Sequence, residues 1–310
     1  MSLDEALALG LHLALLLVLP PLLLGVINKT KAVAAGRQGP PLLQAYRDVA
    51  KLLRKGAVYS RTATLIFRAG PIVALACVMV AGLVLPLASR SAPLGFAGDV
   101  IVFAYLLGLG RMFTMLAALD TGSSFEGMGA SREAAFAALT EPALLLALAI
   151  VCVPAQSVSF SETFADLPWA SGGATHPAFP IAAGALFVVL LAENARIPVD
   201  DPNTHLELTM VHEVMVLDHG GPDFAAIVYG SAVKLFVLGA LLLHVLFVFP
   251  TSPLTGALLL VGGQLVIAVL VGVAESILAR LRLSRVPQLL LGATILAVIG
   301  LGTVLYGGGQ

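Results

Sequence analysis

The amino-acid sequence predicts an all-α, polytopic integral membrane protein with eight transmembrane helices and one amphipathic helix in the membrane plane. The chain of 310 residues is 59% hydrophobic, has a mean hydropathy of +0.99 and contains 11% charged residues, a balance typical of membrane proteins. Its apolar runs are too long for barrel strands, and lipid otherwise leaves only helices able to satisfy the backbone. Because neither an internal repeat nor a soluble segment is visible, residues 1–310 are predicted to form a single membrane domain.

Eight apolar runs are candidates for membrane spans. A helix needs about 18 to 20 apolar residues to cross roughly 30 Å of hydrocarbon. Seven runs reach that length, and the fifth is shorter. They lie near Leu7–Ile27, Ala69–Leu87, Gly98–Leu119, Ala134–Val153, Ala178–Ala192, Phe224–Phe249, Leu254–Ala274 and Val286–Tyr306.

Lysine and arginine are distributed unevenly between the connecting loops. Of 17 such residues, all except Arg90, Arg111 and Lys234 lie in or beside the loops 28–62, 120–133, 193–223 and 275–285. Loops rich in these cations tend to stay in the cytoplasm. We therefore expect those four loops to be cytoplasmic and both termini to lie on the outer, periplasmic side of the inner membrane.

The first of these loops contains an amphipathic segment. Apolar residues recur at helical spacing from Leu42 to Leu53, while Arg47, Asp48 and Lys51 lie largely on the other face. This pattern predicts a helix lying in the membrane plane. Its charged face has two interpretations, contact with anionic lipid headgroups or a docking surface for a partner protein.

The sequence offers little for a cofactor or a metal ion. Cys77 and Cys152 both lie inside apolar runs, and two thiols do not supply the four ligands that an iron–sulfur cluster usually needs. His212-Glu213 lacks the second histidine of the zinc-protease motif. We expect no catalytic residue, cofactor or metal site on this chain.

Residues 193–213 concentrate eight ionisable side chains in 21 residues. Pro198 and Pro202 bracket a predicted non-helical loop. Thr204 and Glu207 then have the spacing of a capping box at the start of a new helix, which is a structural interpretation of Glu207.

Several charged side chains lie within the apolar spans or near their ends. A charge at bilayer depth costs roughly 3 kcal/mol on insertion scales, so each indicates a lining of water, an ion partner or a functional path. A carboxylate in a poorly solvated site can hold and release a proton near neutral pH. Structural ion pairs are the alternative. The predicted proton path consists of Glu141, Glu193, Glu213, Asp120, Lys234 and Arg111.

Three motifs together resemble one known family. Residues 193–213 contain Glu193-Asn194, Arg196-Ile197-Pro198, Asp200-Asp201-Pro202, Thr204–Met210 and His212-Glu213; residues 36–48 and Ser131-Arg132-Glu133 with Glu141 supply the others. This set resembles the respiratory complex I subunit 1 family. It is most similar to the hydrogenase branch, the membrane subunits of formate hydrogenlyase and hydrogenase-4 type. Quinone-reducing relatives have a Pro-Phe-Asp pattern where this chain has Pro198-Val199-Asp200, which favours the hydrogenase branch.

The resemblance implies a non-catalytic subunit of an oxidoreductase complex that couples electron transfer to proton translocation. Its expected partners are nickel–iron hydrogenase large and small subunits, an iron–sulfur subunit and antiporter-like membrane subunits. The nickel–iron centre and the iron–sulfur clusters are expected on those partners. By motif position, the predicted docking residues are Arg37, Arg47, Asp48, Lys51, Arg196, Asp200, Asp201, His205 and Glu207.

Three other functions fit parts of the sequence. A structural membrane anchor would need the buried charges only as ion pairs. A free-standing secondary transporter would explain the proline-bounded break after Glu193. A quinone-site subunit of a complex-I-type oxidoreductase would keep a quinone cavity beneath the first loop.

Overall fold

The computed structural model describes residues 3–165, 177–200 and 211–307. The regular elements in these ranges are all helical, which confirms the predicted fold class. The α-helices are α1 (Leu3–Ala34), α2 (Gln44–Leu53), α3 (Leu65–Val84), α4 (Asp99–Asp120), α5 (Ser124–Ala155), α6 (Phe160–Ala165), α7 (Ala178–Glu193), α8 (Gly221–Leu246), α9 (Pro253–Ile277) and α10 (Val286–Gly307), with short 3-10 helices at Glu213–Val216 and Leu283–Arg285.

Seven helices in the described residues are long and apolar enough to cross a membrane. They are α1, α3, α4, α5, α8, α9 and α10. The predicted fifth span is α7, whose 16 residues extend about 24 Å at helical rise and fall short of the hydrocarbon thickness. The protein is therefore a multi-pass membrane protein whose described residues contain seven helices of full spanning length and the shorter α7, and the count of eight spans stays a prediction.

The two central helices of the bundle are α7 and α8. Most of their residues are buried on every side, including Val189 and Leu190 of α7 and Phe236 and Leu241 of α8. A helix that is apolar all round needs neighbours all round. Those neighbours are α5 and α10 for α7, and α1, α2, α3 and α9 for α8, while α7 and α8 also contact each other.

Charged residues near the helix termini collect at one end of the bundle, which we call the polar end. Lys31 near the end of α1 pairs with Glu275 near the end of α9. Asp120 at the end of α4 accepts hydrogen bonds from Thr64, which precedes α3. The shorter helix α7 also ends there, at Glu193. When the shorter α7 is counted with the seven long helices, successive helices therefore alternate in direction, as a chain crossing repeatedly requires.

The predicted amphipathic helix is present as α2. After α1 the chain turns back through Gly36 and Gly39, whose φ angles of 68° and 67° lie in the left-handed region that favours glycine. The hydroxyl of Tyr46 then donates to the carbonyl of Val18 in α1. None of the residues of α2 is buried. Its exposed charged side chains are Arg47, Asp48 and Lys51.

Candidate functional site

Arg111 of α4 lies at the centre of a group of charged side chains inside the bundle. Its buried guanidinium donates to a carboxylate oxygen of Glu193 at the end of α7. On α5, Glu141 Oε1 lies 3.2 Å from Arg111 Nη1, and Glu133 Oε1 lies 3.6 Å from Arg111 Nε. Lys234 of α8 places Nζ 3.7 Å from Glu193 Oε2. We call these five residues the central cluster.

The central cluster combines three carboxylates with two cations. With all five groups ionised, one negative charge is in excess. Glu193 has a side chain only 3% exposed, so its carboxylate depends on Arg111 and Lys234 for the stabilisation that water would otherwise give. One added proton makes the whole cluster electrically neutral.

The end of α7 determines where Glu193 and Arg196 lie. The helix finishes in a Schellman motif, in which Arg196 N donates to Leu191 O at 2.8 Å and Ala195 N donates to Ala192 O at 3.1 Å. Ala195 has the positive φ, 49°, that this motif requires. Because the chain turns directly after the helix, Glu193 stays inside the bundle while Arg196 extends toward α9.

Arg196 belongs to a second group of charged residues, Lys31, Arg196 and Glu275, which we call the α9 cluster. The side chain of Glu275 is 0% exposed, and its Oε1 lies 3.3 Å from Arg196 Nη1. Its other oxygen, Oε2, lies 2.7 Å from Nζ of Lys31. Two cations thus surround one carboxylate. The turn between Glu193 and Arg196 joins two clusters whose net charges have opposite sign.

Asp200 holds the chain on both sides of residues 201–210. Its buried carboxylate accepts from Arg280 Nη2 at 2.7 Å. The second oxygen accepts the backbone N–H groups of Val211, at 3.1 Å, and His212, at 3.2 Å. The segment that begins at Val211 is therefore fixed against the bundle by a side chain from the loop after α7.

Two small cavities meet at Arg111 and Glu133. The volume accessible to water is about 60 Å³ in the larger cavity and about 20 Å³ in the smaller one. Since one water needs about 10 to 15 Å³ on this measure, the first has room for several waters and the second for one. The larger cavity is lined by Arg111, Glu133, His212 and Lys234 among apolar side chains of α3, α4 and α8. The smaller one is lined by Arg111, Glu133, Glu193 and Asp200 among others.

A groove between α4 and α5 brings the central cluster to the surface of the bundle. Its open volume is about 550 Å³, and both Arg111 and Glu141 line it beside apolar residues such as Tyr105 and Met112. The side chain of Glu141 is 51% exposed, although it lies well inside the apolar part of α5. Carboxylates of the cluster thus extend from the interior at Glu193 to the surface at Glu141.

Two residues of the predicted proton path lie elsewhere. Asp120 caps the start of α3, where it accepts from Thr64 N at 2.7 Å, from the Thr64 hydroxyl at 2.8 Å and from Phe67 N at 3.3 Å. Glu213 begins the 3-10 helix that follows His212. The structure brings together the other four predicted residues, Arg111, Glu141, Glu193 and Lys234.

The predicted docking residues fall into three groups. Arg196 and Asp200 are turned inward, into the ion pairs described above. The second group is exposed and lies before or within α2. It consists of Arg37, Arg47, Asp48 and Lys51. The remaining three, Asp201, His205 and Glu207, lie outside the described residues.

The sequence interpretation assigned no proton-path role to Glu133 or His212, although both line the larger cavity. Glu133 precedes Glu141 by eight residues, about two helical turns. That spacing predicts that the two carboxylates lie on nearby faces of α5, so Glu133 could have been found from the sequence. No comparable signal existed for His212, which the sequence singled out as part of the 193–213 motif and as a poor metal ligand.

Comparisons with known proteins agree over almost the whole chain. The profile of the family described as NADH dehydrogenase matches residues 7–306. Hydrogenase-4 component C of Escherichia coli (strain K12) is 33% identical over 276 residues, which cover 86% of this chain and 85% of that protein. Formate hydrogenlyase subunit 4 of the same organism is 31% identical over 284 residues, covering 88% and 90%.

A solved structure has the same fold. It is a chain of the membrane-bound sulfane sulfur reductase, an archaeal respiratory membrane complex, which superposes with a TM-score of 0.82 at 22% sequence identity. The superposition covers 96% of this chain and 99% of that chain. The likeness therefore extends over the whole helical bundle.

Proposed function

Because the chain belongs to the NADH dehydrogenase family, in the hydrogenase branch of its complex I subunit 1 proteins, we propose that it docks a soluble redox arm at the membrane and couples that arm's electron transfer to proton translocation. The chain is a membrane subunit of a complex-I-like assembly. Bond chemistry takes place in the docked arm, and this subunit responds to it by changing where protons are held.

The central cluster is the observation that carries this proposal. A set of three carboxylates and two cations whose inner members, Glu193 and Arg111, are buried gains or loses a proton when a nearby charge changes, because poorly solvated charges interact strongly. Reduction of a redox centre at the polar end adds negative charge there and draws a proton inward. Glu193, at the inner end of the cluster, receives that proton.

The route outward runs from Glu193 past Arg111 to Glu141. A charged side chain at bilayer depth costs roughly 3 kcal/mol or more when it faces lipid. The half-exposed Glu141 therefore favours a neighbouring membrane subunit on the α4–α5 groove, where it can pass a proton to a polar group of that partner. An antiporter-like membrane subunit is the partner that we propose for this groove.

The polar end is the proposed docking face for the soluble arm. The excess of lysine and arginine in its loops supports a cytoplasmic location for this end and a periplasmic location for both termini. The names of the two relatives, hydrogenase-4 and formate hydrogenlyase, support an arm of nickel–iron hydrogenase large and small subunits with an iron–sulfur subunit. In this arrangement the nickel–iron centre and the iron–sulfur clusters belong to the partners.

Isolation of the native assembly tests the docking part. The chain would be extracted from its own membranes in mild detergent with a tag on the C-terminus, and the co-purifying proteins identified by mass spectrometry. We expect nickel–iron hydrogenase-like, iron–sulfur and antiporter-like chains. A monodisperse chain without partners would contradict docking and would favour a free-standing transporter.

Glu141→Gln tests the coupling part. In membrane vesicles, the variant complex should retain electron transfer between artificial redox dyes and should lose most of its proton translocation. Glu162→Gln is the matched control, since Glu162 is an exposed glutamate on α6 that bonds to Ser157 far from the central cluster. If Glu141→Gln lowers only assembly or stability and leaves proton translocation intact, the coupling proposal is contradicted. The charged side chains of the central cluster would then act only as structural ion pairs in a membrane anchor.

A further inference from the structure

We propose that His212 is a proton-accepting station of this subunit, which reloads Lys234 through the larger cavity. The proposal rests on the proton translocation proposed above and adds a residue to its path. It follows from the place of His212 in the fold, from the charges that face it and from the connection between its backbone and the polar end.

The backbone of His212 is held at a fixed place. Its N–H donates to Asp200 Oδ2 at 3.2 Å, and Asp200 is paired with Arg280 at 2.7 Å. The segment also packs closely on α5 at Gly129, where an added Cβ would lie 2.3 Å from Val214 Cγ1. A change at the Asp200–Arg280 pair therefore reaches His212 through one hydrogen bond.

The imidazole of His212 lies among charged groups from four helices. Lys234 of α8 and Glu133 of α5 line the same cavity, as does Arg111 of α4, and Glu193 of α7 is close enough for its charge to act on the ring. Burial lowers the pKa of His212 to about 4; the Lys234 ammonium acts in the same direction, and the Glu193 carboxylate opposes both. At neutral pH the ring is uncharged and carries one free lone pair, which can accept a proton.

One proton moves in two balanced steps. First, Lys234 gives a proton to Glu193, whose Oε2 lies 3.7 Å from Nζ, a separation that one water can bridge. An N–H bond breaks and an O–H bond forms, leaving a neutral amine and a carboxylic acid. Because Lys234 has the larger effect of the two on His212, loss of both charges raises the pKa of the ring.

In the second step His212 accepts a proton from a hydronium ion at the polar end, which leaves as water, and passes the proton to the Lys234 amine. Its two ring nitrogens allow uptake on one side and release on the other. The net result is one proton moved from the polar end onto Glu193, with Lys234 restored and His212 left as the other neutral tautomer, which a ring flip or proton exchange with water converts back. The cavity between them has room for the waters that carry the transfer.

His219 provides a matched control, because it is a second histidine on the same loop. Its ring stacks on Phe67 with centroids 4.0 Å apart, and it is not among the residues that line the larger cavity. Replacement of either histidine by glutamine keeps a polar side chain and removes a titratable group. A loss caused by removing any histidine of this loop would appear in both variants.

The test measures protons translocated per electron by the whole complex in sealed vesicles. We expect His212→Gln to lose most translocation while dye-driven electron transfer persists, and His219→Gln to match the native complex. His212→Ala should regain translocation when imidazole is added, increasingly so as rising pH makes imidazole neutral. Equal losses in the two glutamine variants, native translocation in His212→Gln, or no rescue of His212→Ala would each overturn the proposal.

Glu193→Gln in the same vesicles separates this inference from the proposed function. If Glu193→Gln loses translocation and His212→Gln does not, the function stands and the station at His212 is wrong. If Glu193→Gln translocates protons normally, the coupling itself is wrong and the inference falls with it.

Discussion

Glu193 and Arg196 lie three residues apart in the chain and belong to two different clusters of charged side chains. Glu193 contacts Arg111 and Lys234 in the central cluster, where negative charge is in excess, whereas Arg196 contacts Glu275 in the α9 cluster, where positive charge is in excess. The Schellman turn at the end of α7 holds both side chains. A displacement of this turn changes the ion pairs of both clusters together, which makes it suited to carrying a signal from the polar end.

Arg111→Met should strongly destabilise the protein. It leaves three carboxylates near one remaining cation, and breaking a buried ion pair typically costs about 3 to 5 kcal/mol. Addition of Glu193→Gln removes one uncompensated charge, so the double variant should be more stable than Arg111→Met alone. The thermal midpoint of the purified complex is the measurement, and additive losses would contradict the pairing.

Ala195→Gly should stabilise the end of α7. A non-glycine residue in the left-handed region costs about 1 to 2 kcal/mol, and Ala195 has a φ of 49°. Ala192→Gly is the control, since glycine inside the helix costs roughly 0.5 to 1 kcal/mol. We expect the two substitutions to move the thermal midpoint in opposite directions, and a shared direction would argue against strain at Ala195.

Glu275→Gln and Lys31→Met should differ in their effect on stability. Removal of the Glu275 charge leaves both Arg196 and Lys31 without their carboxylate in a poorly solvated place, at a cost of about 3 kcal/mol or more. Lys31 is 24% exposed, and its loss leaves the Arg196 pair intact, so about 1 kcal/mol is expected. Equal shifts in the thermal midpoint would show that Arg196 does not depend on Glu275.

Asp120→Ala should act on stability rather than on translocation. The carboxylate accepts two backbone N–H groups at the start of α3, and its loss leaves these helix N-terminal donors without their side-chain acceptor. We expect a lower thermal midpoint with an unchanged ratio of protons to electrons. A lower ratio with unchanged stability would instead support the proton-path role predicted from the sequence.

Apolar length predicts most helix positions to within a few residues, but α5 begins at Ser124, ten residues before the predicted run and inside the predicted loop 120–133, and α1 ends at Ala34, seven residues after its run. The run Gly98–Leu119 became α4, Asp99–Asp120, and the run Val286–Tyr306 became α10, Val286–Gly307. The shortness of α7 was also visible, since Glu193 and the prolines after it end the apolar run. Burial around α7 and α8 was not visible, because a helix that is apolar all round has no preferred face.

The ion pairs could not be predicted from the sequence. Arg196 and Glu275 are 79 residues apart, Asp200 and Arg280 are 80 apart, and periodicity does not say which helices touch. Arg196 and Asp200 were placed at or near the docking face by motif position alone, and the structure adds that their side chains form inward ion pairs, while their docking role stays a prediction. Arg111 and Glu193 could be singled out by the cost of a charge in lipid, but their contact needed the structure.

The ratio of protons translocated to electrons transferred, measured for Glu193→Gln in purified complex reconstituted into liposomes, tests the central claim most directly. The coupling account predicts dye-driven electron transfer close to that of the native complex and a ratio reduced to a small fraction of the native value, with Glu162→Gln unchanged. A native ratio in the assembled Glu193→Gln complex would contradict the account and leave the central cluster a structural one.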